Sequence, residues 1–301
     1  MTKKERDRKF KKARTQVLRQ KTRLQRNTLA EIDRLLKLAR DQVDAALAAA
    51  PSQFEAWYLP QLQQSITQAM KELGDQGAQV VSKNMGTSWQ LGLDLVDKPI
   101  QAGGIQISAV LPAVDTKQLQ AMRLFVTDRM KDVGVQLANK INSELGLVAI
   151  GAKSTGDATG TIAGMLKTGG RSRATTIIRT ELGRAFSAAS HQRKQQAAEH
   201  LPGLKKQWRR SGKLHSRQHH DAADGQIKNV DEPFVLHGKR GRVTLMYPRD
   251  PAAPIGETVN CGCESLPYME SWEMQSPGRK PYEPEELTTP FRRSLDAATS
   301  G

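Results

Sequence analysis

Long stretches of helical periodicity constrain the fold of this chain more than any other sequence feature. Between residues 17 and 47, apolar side chains recur every three or four positions, and Pro51 follows an alanine run. This spacing places the apolar side chains on one helix face, and proline ends a helix because it lacks an amide hydrogen. Similar stripes occupy residues 54–81, 119–145 and 174–189. The pattern predicts a chain dominated by long amphipathic helices.

The helical pattern stops at Leu201-Pro202-Gly203. Beyond it, short runs with strand character occupy residues 204–208 and 242–247, and a short helix is expected at residues 216–223. The predicted fold class is therefore α+β. It combines a mostly α-helical N-terminal region of long helices with a small α+β C-terminal module.

Turn residues and composition divide the chain into segments. Pro99, Gly103, Gly104 and Pro112 indicate a linker, and the Gly- and Thr-rich residues 153–164 indicate a loop. The predicted segments are a basic arm at 1–26, a helical hairpin at 27–97, a linker at 98–114, a helix and loop at 115–170, the C-terminal module at 171–267 and an extended acidic tail at 268–301.

Basic residues are concentrated in two blocks, with a net charge of +9 over residues 1–50 and +10 over residues 171–250. Such blocks predict surfaces that face a polyanion or an acidic partner, although basic residues also solvate ordinary helix faces. Few aromatic residues interleave them, so we expect phosphate contact without sequence specificity. The candidate nucleic-acid-binding residues are Lys3, Lys4, Arg6, Arg8, Lys9, Lys11, Lys12, Arg14, Lys205, Lys206, Arg209 and Arg210.

Three further expectations follow from composition. Residues 3–26 hold 12 Lys or Arg residues and should be disordered, or helical only when a partner neutralises them. No stretch of about 18 apolar residues is present, so no transmembrane helix is expected. The basic N-terminus lacks the apolar segment of a signal peptide, so no secretory signal is expected. Two cysteines do not make a disulfide framework, which favours a reducing compartment.

Residues with reactive or strongly polar side chains concentrate between Trp208 and Cys263. Both cysteines of the chain lie there, and His219 and His220 precede them. Because such side chains cost free energy to bury without partners, they predict a specific polar network that fixes a helix to the neighbouring loops. Its expected members are Arg179, Glu181, Trp208, Arg217, His220, Asp224, Gly225, Asp250, Asn260, Cys261 and Cys263.

Zinc binding is an alternative for the same residues. Cys261, Cys263 and His220 would supply three ligands, and the fourth would be His219, His215 or Asp224. Structural zinc sites usually place two to four residues between paired cysteines, and here only Gly262 intervenes. We therefore expect no cofactor, with zinc as the alternative.

Catalysis is a second alternative. Cys261 could act as a nucleophile with His220 as its base, and Asp224 or Asp250 would orient the histidine. The histidine pair matches no HExxH helix. We expect a protein that is not an enzyme, and the alternative is a zinc- or cysteine-dependent nuclease or protease.

Five motifs in residues 171–267 occur in an order that resembles the bacteriophage Mu F-like minor head protein family. They are Arg179-Thr180-Glu181, Lys206-Gln207-Trp208, Arg217 with His220 and Asp224-Gly225-Gln226, Tyr247-Pro248-Arg249-Asp250-Pro251, and Asn260-Cys261-Gly262-Cys263. The chain departs from the family pattern at Lys213, His215 and Gly262.

The resemblance implies a minor capsid protein that joins the portal vertex during procapsid assembly and, in some relatives, touches DNA. The implied partners are the phage portal protein and double-stranded DNA, with the major capsid or scaffolding protein as further partners and no membrane. The implied location is the virion, at the portal vertex of the head, after assembly in the host cytoplasm. No settled enzymatic role is implied.

Overall fold

A computed structural model describes residues 2–50, 58–105, 111–212, 216–238 and 241–269. Most of the predicted acidic tail, the start of the second predicted helix, and both Lys213 and His215 lie outside these residues. The predicted α+β class is confirmed.

Five helices make up most of the described chain. They are α1 (Lys3–Ala48), α2 (Leu59–Ala102), α3 (Lys117–Ala149), α4 (Thr155–Gly164) and α5 (Gly170–His200). A π-helical turn, Met165–Gly169, joins α4 to α5. In the structure, the basic residues 3–26 are helical. No helix among the described residues combines the length and the apolar character that crossing a membrane requires.

Strands and two short helices follow α5. They are β1 (Leu204–Arg209), α6 (Gln218–Ala222), β2 (Ile227–Asn229), β3 (Phe234–Gly238), β4 (Gly241–Leu245), α7 (Ile255–Thr258) and β5 (Glu264–Met269). Strand β1 lies at the centre of an antiparallel sheet of order β2-β1-β5, and β3 and β4 form an antiparallel hairpin. The strands predicted near residues 204–208 and 242–247 and the short helix near 216–223 are confirmed.

Two segments differ from the sequence prediction. Helix α2 continues through Pro99 to Ala102, although a linker was expected from residue 98. Burial explains the continuation, because Val96 and Ile100 on the same stretch are fully buried and their packing offsets the hydrogen bond that proline removes. The predicted loop at 153–164 is mostly helix α4, which begins where the side chain of Ser154 accepts a hydrogen bond from the amide of Asp157.

The chain divides into two compact units. The first comprises Met1–Lys21, Ser88–Asp115 and Gly183–Gly301, and the second comprises Thr22–Thr87 and Thr116–Leu182. In the second unit, α3 approaches α2 so closely that a Cβ atom on Gly134 would lie 2.2 Å from the carbonyl oxygen of Met70. The same unit contains a bidentate ion pair, in which Arg171 donates to both carboxylate oxygens of Asp33 at 2.7 and 2.9 Å.

The first unit buries the beginning of α1 in its core. Phe10 packs with Val96, Ile100 and other apolar residues, and Val17 packs with Phe186 and other apolar residues. A third cluster joins Trp208 and Phe234 to both cysteines. The basic N-terminal segment is therefore also a structural part of the first unit.

Candidate functional site

A cavity of about 640 Å³ lies among the loops that follow β1 and precede β5. Residues of α6, the β3–β4 hairpin, α7 and the turn before β5 line it. In this turn Asn260 adopts a left-handed backbone conformation (φ 54°), which asparagine tolerates better than most residues. The side chains that face one another here are His219, His220, Glu257, Cys261 and Cys263.

His220 stands at the centre of this group and is almost fully buried. Its Nε2 atom lies 2.7 Å from Oε2 of Glu257, and Nε2 of His219 lies 2.7 Å from the same oxygen. On the other side of the ring, Nδ1 lies 3.6 Å from Sγ of Cys261 and 3.7 Å from Sγ of Cys263. With its proton on Nε2, His220 donates to the carboxylate and turns the lone pair of Nδ1 towards both sulfur atoms.

The two thiols of Cys261 and Cys263 titrate as a pair. Donation from the Cys263 thiol lowers the pKa of Cys261 well below its ordinary value against the effect of burial, and His220 and Arg249 add to the lowering. The same bond and burial raise the pKa of Cys263 well above its ordinary value. Glu257 has a lowered pKa, because hydrogen bonds from His219 and His220 outweigh the opposing effect of its partial burial. The group therefore favours one thiolate, on Cys261, and an ionised Glu257.

Arg249 connects the turn that carries the cysteines to α5 and β5. Its side chain is buried and donates to the carbonyl oxygen of Cys261 at 2.7 Å, to Oγ of Ser187 at 2.6 Å and to Oε2 of Glu264 at 2.8 Å. Burial works against the charged guanidinium, but attraction by Glu264 and Cys261 outweighs it and raises the pKa of Arg249. Gly183 makes room for it, since a Cβ atom there would lie 2.9 Å from Cδ of Arg249.

Three lysines are buried in the same unit. Lys21 forms an ion pair with Glu264 and lies over the ring of Phe186, and burial together with repulsion from Arg249 lowers its pKa to about 8. Lys194 donates to the carbonyl and hydroxyl oxygens of Ser265 at 2.9 and 2.6 Å. Lys206 donates to the carbonyl oxygen of Met246 at 2.8 Å, and burial lowers its pKa to about 8. Burial also lowers the pKa of Lys194 well below its ordinary value. The three lysines therefore stabilise the interior of the unit through hydrogen bonds and one ion pair.

Trp208 and Asp224 hold α6 against β1. The buried indole of Trp208 donates from Nε1 to the carbonyl oxygen of His220 at 2.9 Å and meets the His220 ring edge-on. Asp224 accepts a hydrogen bond from the backbone amide of Arg210 at 2.9 Å. Gly225 has a φ of 84°, which favours glycine, and its amide donates to the carbonyl oxygen of Trp208. The position of His220 thus depends on β1.

Two other residues predicted for the network fix the loops at either side of α7. Arg217 donates to the carbonyl oxygen of Val259 at 2.8 Å. Asp250 accepts hydrogen bonds from the backbone amides of Met246 and Ala252 at 2.9 and 3.0 Å. These hydrogen bonds join side chains to the backbone within the C-terminal module, as expected of a polar network that stabilises the loops.

Two residues predicted for the network, Arg179 and Glu181, belong to the second unit. Arg179 is exposed, and the buried Glu181 lies 3.9 Å from Arg129. In the first unit, Ser187 of α5 accepts a hydrogen bond from Arg249, and Lys194 of α5 donates one to Ser265 of β5.

Arg14 and Lys206, two of the predicted nucleic-acid-binding residues, are buried and not exposed as a binding surface requires. Burial, with repulsion from Arg209, lowers the pKa of Arg14 to about 10. Neither residue presents its charge to a polyanion. Lys205, Arg209 and Arg210 are partly exposed, and Arg210 lies 3.7 Å from Asp221.

Sequence reasoning missed Glu257, Arg249, Glu264 and Lys21 as members of the site. Glu257 is 37 residues from His220, and Glu264 is 243 residues from Lys21. No spacing rule joins residues so far apart. The only signal in the sequence is that Glu257 lies four residues before the first cysteine of the Cys-x-Cys motif.

The site lies in a segment that comparison with known proteins identifies. Residues 146–266 match the family described as Phage Mu protein F like protein. This segment is Mu F-like. It contains α4 to α7, β1 to β4 and all three residues His220, Cys261 and Cys263, so the resemblance that the sequence motifs indicated is confirmed. Lys21 of the buried ion pair lies outside the Mu F-like segment.

Two curated proteins are similar to part of the chain. "Uncharacterized protein YqbB" of Bacillus subtilis (strain 168) is 39% identical over 120 residues, which are 39% of this chain and 36% of that protein. "NAD(+)--arginine ADP-ribosyltransferase EFV" of Enterococcus faecalis (strain ATCC 700802 / V583) is 30% identical over 98 residues, which are 33% of this chain and 19% of that protein. The chain thus spans about a third and a fifth of the lengths of these relatives. No solved structure matches it.

Proposed function

We propose that this protein is a minor head protein of a bacteriophage that docks at the portal vertex and contacts DNA without sequence specificity. The observation that carries the proposal is the match of residues 146–266 to the Mu F-like family, which points to head morphogenesis. The protein would aid procapsid assembly, packaging or ejection from a position in the virion. Its mechanism would be binding rather than turnover.

The packing of the site supports a structural role. Trp208, Arg249 and Glu264 are buried and joined by hydrogen bonds or an ion pair to neighbouring segments, which is how a small module gains rigidity for docking. Cys261, His220 and Glu257 are also placed like the nucleophile, base and orienting carboxylate of a catalytic site, with His220 between the other two. The similarity to the transferase named above is 30% identity over 98 residues, which are only 19% of that protein, so it does not support transferase activity in this chain.

The exposed face of α1 supports DNA contact. Lys4, Arg8 and Lys12 are exposed and follow one another at intervals of four residues, which places them on one helix face. Arg8 and Lys12 border a surface depression with Arg19 and other residues of the same helix. Aromatic side chains are few in this stretch, so the face suits phosphate groups rather than stacked bases.

Portal binding tests the proposed function directly. We expect the full-length protein to co-purify with the portal protein encoded by the same phage, and to be seen at the unique vertex when heads are imaged. A protein that binds DNA and fails to recover portal would instead be a standalone nucleic-acid-binding protein. A variant with the three charges of the α1 face removed should still recover portal, which separates the two activities.

DNA binding should weaken when Lys4, Arg8 and Lys12 are all changed to Gln. Each lost phosphate contact lowers the slope of log affinity against log salt by about 0.9, so the triple variant should lose about 2.7 of that slope. The effect should be the same for duplexes of unrelated sequence. Gel retardation at several salt concentrations measures it. Deleting the segment is a poor test, because Phe10 and Val17 belong to the core of the first unit.

A matched control removes three exposed lysines that already have carboxylate partners. Lys71 and Lys131 form ion pairs with Asp75, and Lys98 forms one with Asp94, so changing these three lysines to Gln removes the same charge from the chain without touching α1. We expect this control to bind DNA almost as the wild type does. Equal losses in both triple variants would show that net charge alone matters and would refute a DNA-binding face on α1.

A further inference from the structure

We propose that Cys261, Cys263 and His220 form a zinc site, in which the two sulfur atoms and Nδ1 of His220 are ligands. The fourth coordination position opens to the cavity that these residues line. The proposal concerns the chemistry of this one site and does not depend on portal docking or on DNA binding.

The distances from Nδ1 of His220 to the two sulfur atoms fit ligands of one tetrahedral metal ion. Zinc binds cysteine sulfur at about 2.3 Å and histidine nitrogen at about 2.0–2.1 Å, so sulfur and nitrogen ligands of one tetrahedral ion stand about 3.6 Å apart. Nδ1 of His220 lies 3.6 Å from Sγ of Cys261 and 3.7 Å from Sγ of Cys263. Two separate sulfur atoms therefore stand at the ligand distance from one nitrogen.

The short spacing between Cys261 and Cys263 is compatible with zinc binding in this structure. A single residue between the cysteines is fewer than most structural zinc sites have. Here Asn260, directly before Cys261, adopts a left-handed backbone conformation, and β5 begins directly after Cys263. The sulfur atoms of Cys261 and Cys263 lie 3.6 and 3.7 Å from Nδ1 of His220, so the short spacing does not separate the ligands.

Glu257 supplies the outer contact that a ligating histidine needs. Histidines bound to metals usually donate their second N–H to a carboxylate or carbonyl group, which fixes the tautomer and the orientation of the ring. Nε2 of His220 lies 2.7 Å from Oε2 of Glu257, so Nδ1 is left as the metal-facing atom. Nε2 of His219 lies 2.7 Å from the same carboxylate oxygen. The site thus contains the three proposed ligands and also the carboxylate that orients the ligating histidine.

Charge also favours zinc at the cysteine side of His220. Two thiolates and Zn²⁺ carry no net charge together, which suits a site whose ligands are 5% or less exposed. His219, His220 and Glu257 form a second group with metal-binding side chains, but it would use Nε2 of His220 and offers no sulfur. Thiolate ligands select zinc over hard cations such as magnesium.

Metal analysis of the purified full-length protein tests the site. We expect about one zinc ion per chain in the wild type, and little in Cys261→Ser and in Cys263→Ser. The matched control is His237→Gln, because His237 is an exposed histidine of the same unit and should not change the zinc content. Replacement of zinc by cobalt should give thiolate-to-metal absorption bands that weaken when either cysteine is changed.

A second variant keeps the test decisive if the cysteine variants do not fold. Glu257→Gln retains all three ligands but weakens the contact to His220, so zinc affinity should fall about 10- to 100-fold while the cobalt bands remain. Glu232→Gln, at an exposed carboxylate of the same unit, should leave the affinity unchanged. Wild-type protein that neither holds zinc when purified nor gives thiolate-to-cobalt bands would overturn the proposal. So would zinc that persists in the Cys261→Ser, Cys263→Ser double variant.

Discussion

Arg249→Met is expected to lower the free energy of unfolding of the first unit by about 3–5 kcal/mol. The guanidinium is buried and donates to three acceptors on separate segments, namely the Cys261 carbonyl, Ser187 and the Glu264 carboxylate. Methionine fills much of the volume but donates no hydrogen bond. The carbonyl and hydroxyl lose this donor, and Glu264 keeps Lys21 but loses its second buried cation.

Hydrogen exchange of the β1 and β5 amides measures this loss locally, which matters because the chain has two units and a single unfolding transition cannot be assumed. Adding Glu264→Gln should not restore the stability, because Lys21 is then buried without its carboxylate partner. Arg242→Met, at an exposed arginine of β4, should change stability by about 0.5 kcal/mol or less. A single Arg249→Met variant as stable as Arg242→Met would show that the buried network does not brace the unit.

The long helices were predictable because each exposes one periodic apolar face. The stripe of α3 illustrates this, since Leu119, Met122 and Val126 are buried as its spacing requires. The same apolar periodicity is present in α4, where the sequence was interpreted as a loop. Ala158, Ile162 and Leu166 recur every four residues and are buried, but the glycines between them were interpreted as a loop. In this segment, the burial of a periodic apolar face stabilises the helix in spite of its glycines.

The strands were harder to predict because their stabilising contacts lie far along the chain. Strand β5 pairs with β1, and Trp208 faces Ser265 across a separation that no local pattern records. Strand β2 is three residues long and half exposed, so it has no apolar alternation to detect. Pairing with β1 holds it in place, which is a tertiary effect.

The candidate site was predictable in its residue types but not in its partners. The motifs placed His220, Cys261 and Cys263 in one segment, and the structure brings them together. The sequence offered Asp224 or Asp250 as the carboxylate for His220, whereas Glu257 occupies that place. Asp224 and Asp250 accept backbone amides instead. Residue type alone cannot distinguish a carboxylate that caps a turn from one that orients a ring, because both tasks use the same oxygen atoms.

Trp208→Ala should lower the free energy of unfolding of the first unit by about 3–5 kcal/mol, because it empties the space of a fully buried indole. The indole packs against His220 and Phe234, with ring centroids 5.5 and 5.3 Å away, and belongs to the cluster that contains both cysteines. Its loss should therefore also free His220 from the position that faces the thiols. Hydrogen exchange of the β1 and β5 amides measures the stability.

Trp208→Phe separates the packing of the indole from its hydrogen bond. Phenylalanine retains an aromatic ring but cannot donate to the His220 carbonyl, and an unsatisfied buried carbonyl costs about 1–3 kcal/mol. Ile255→Ala, at a largely exposed residue of α7, should change stability by about 0.5 kcal/mol or less. A Trp208→Ala variant that resists protease and exchanges its β1 amides as slowly as the wild type would contradict a braced module. A Trp208→Phe variant indistinguishable from the wild type would show that packing alone positions His220.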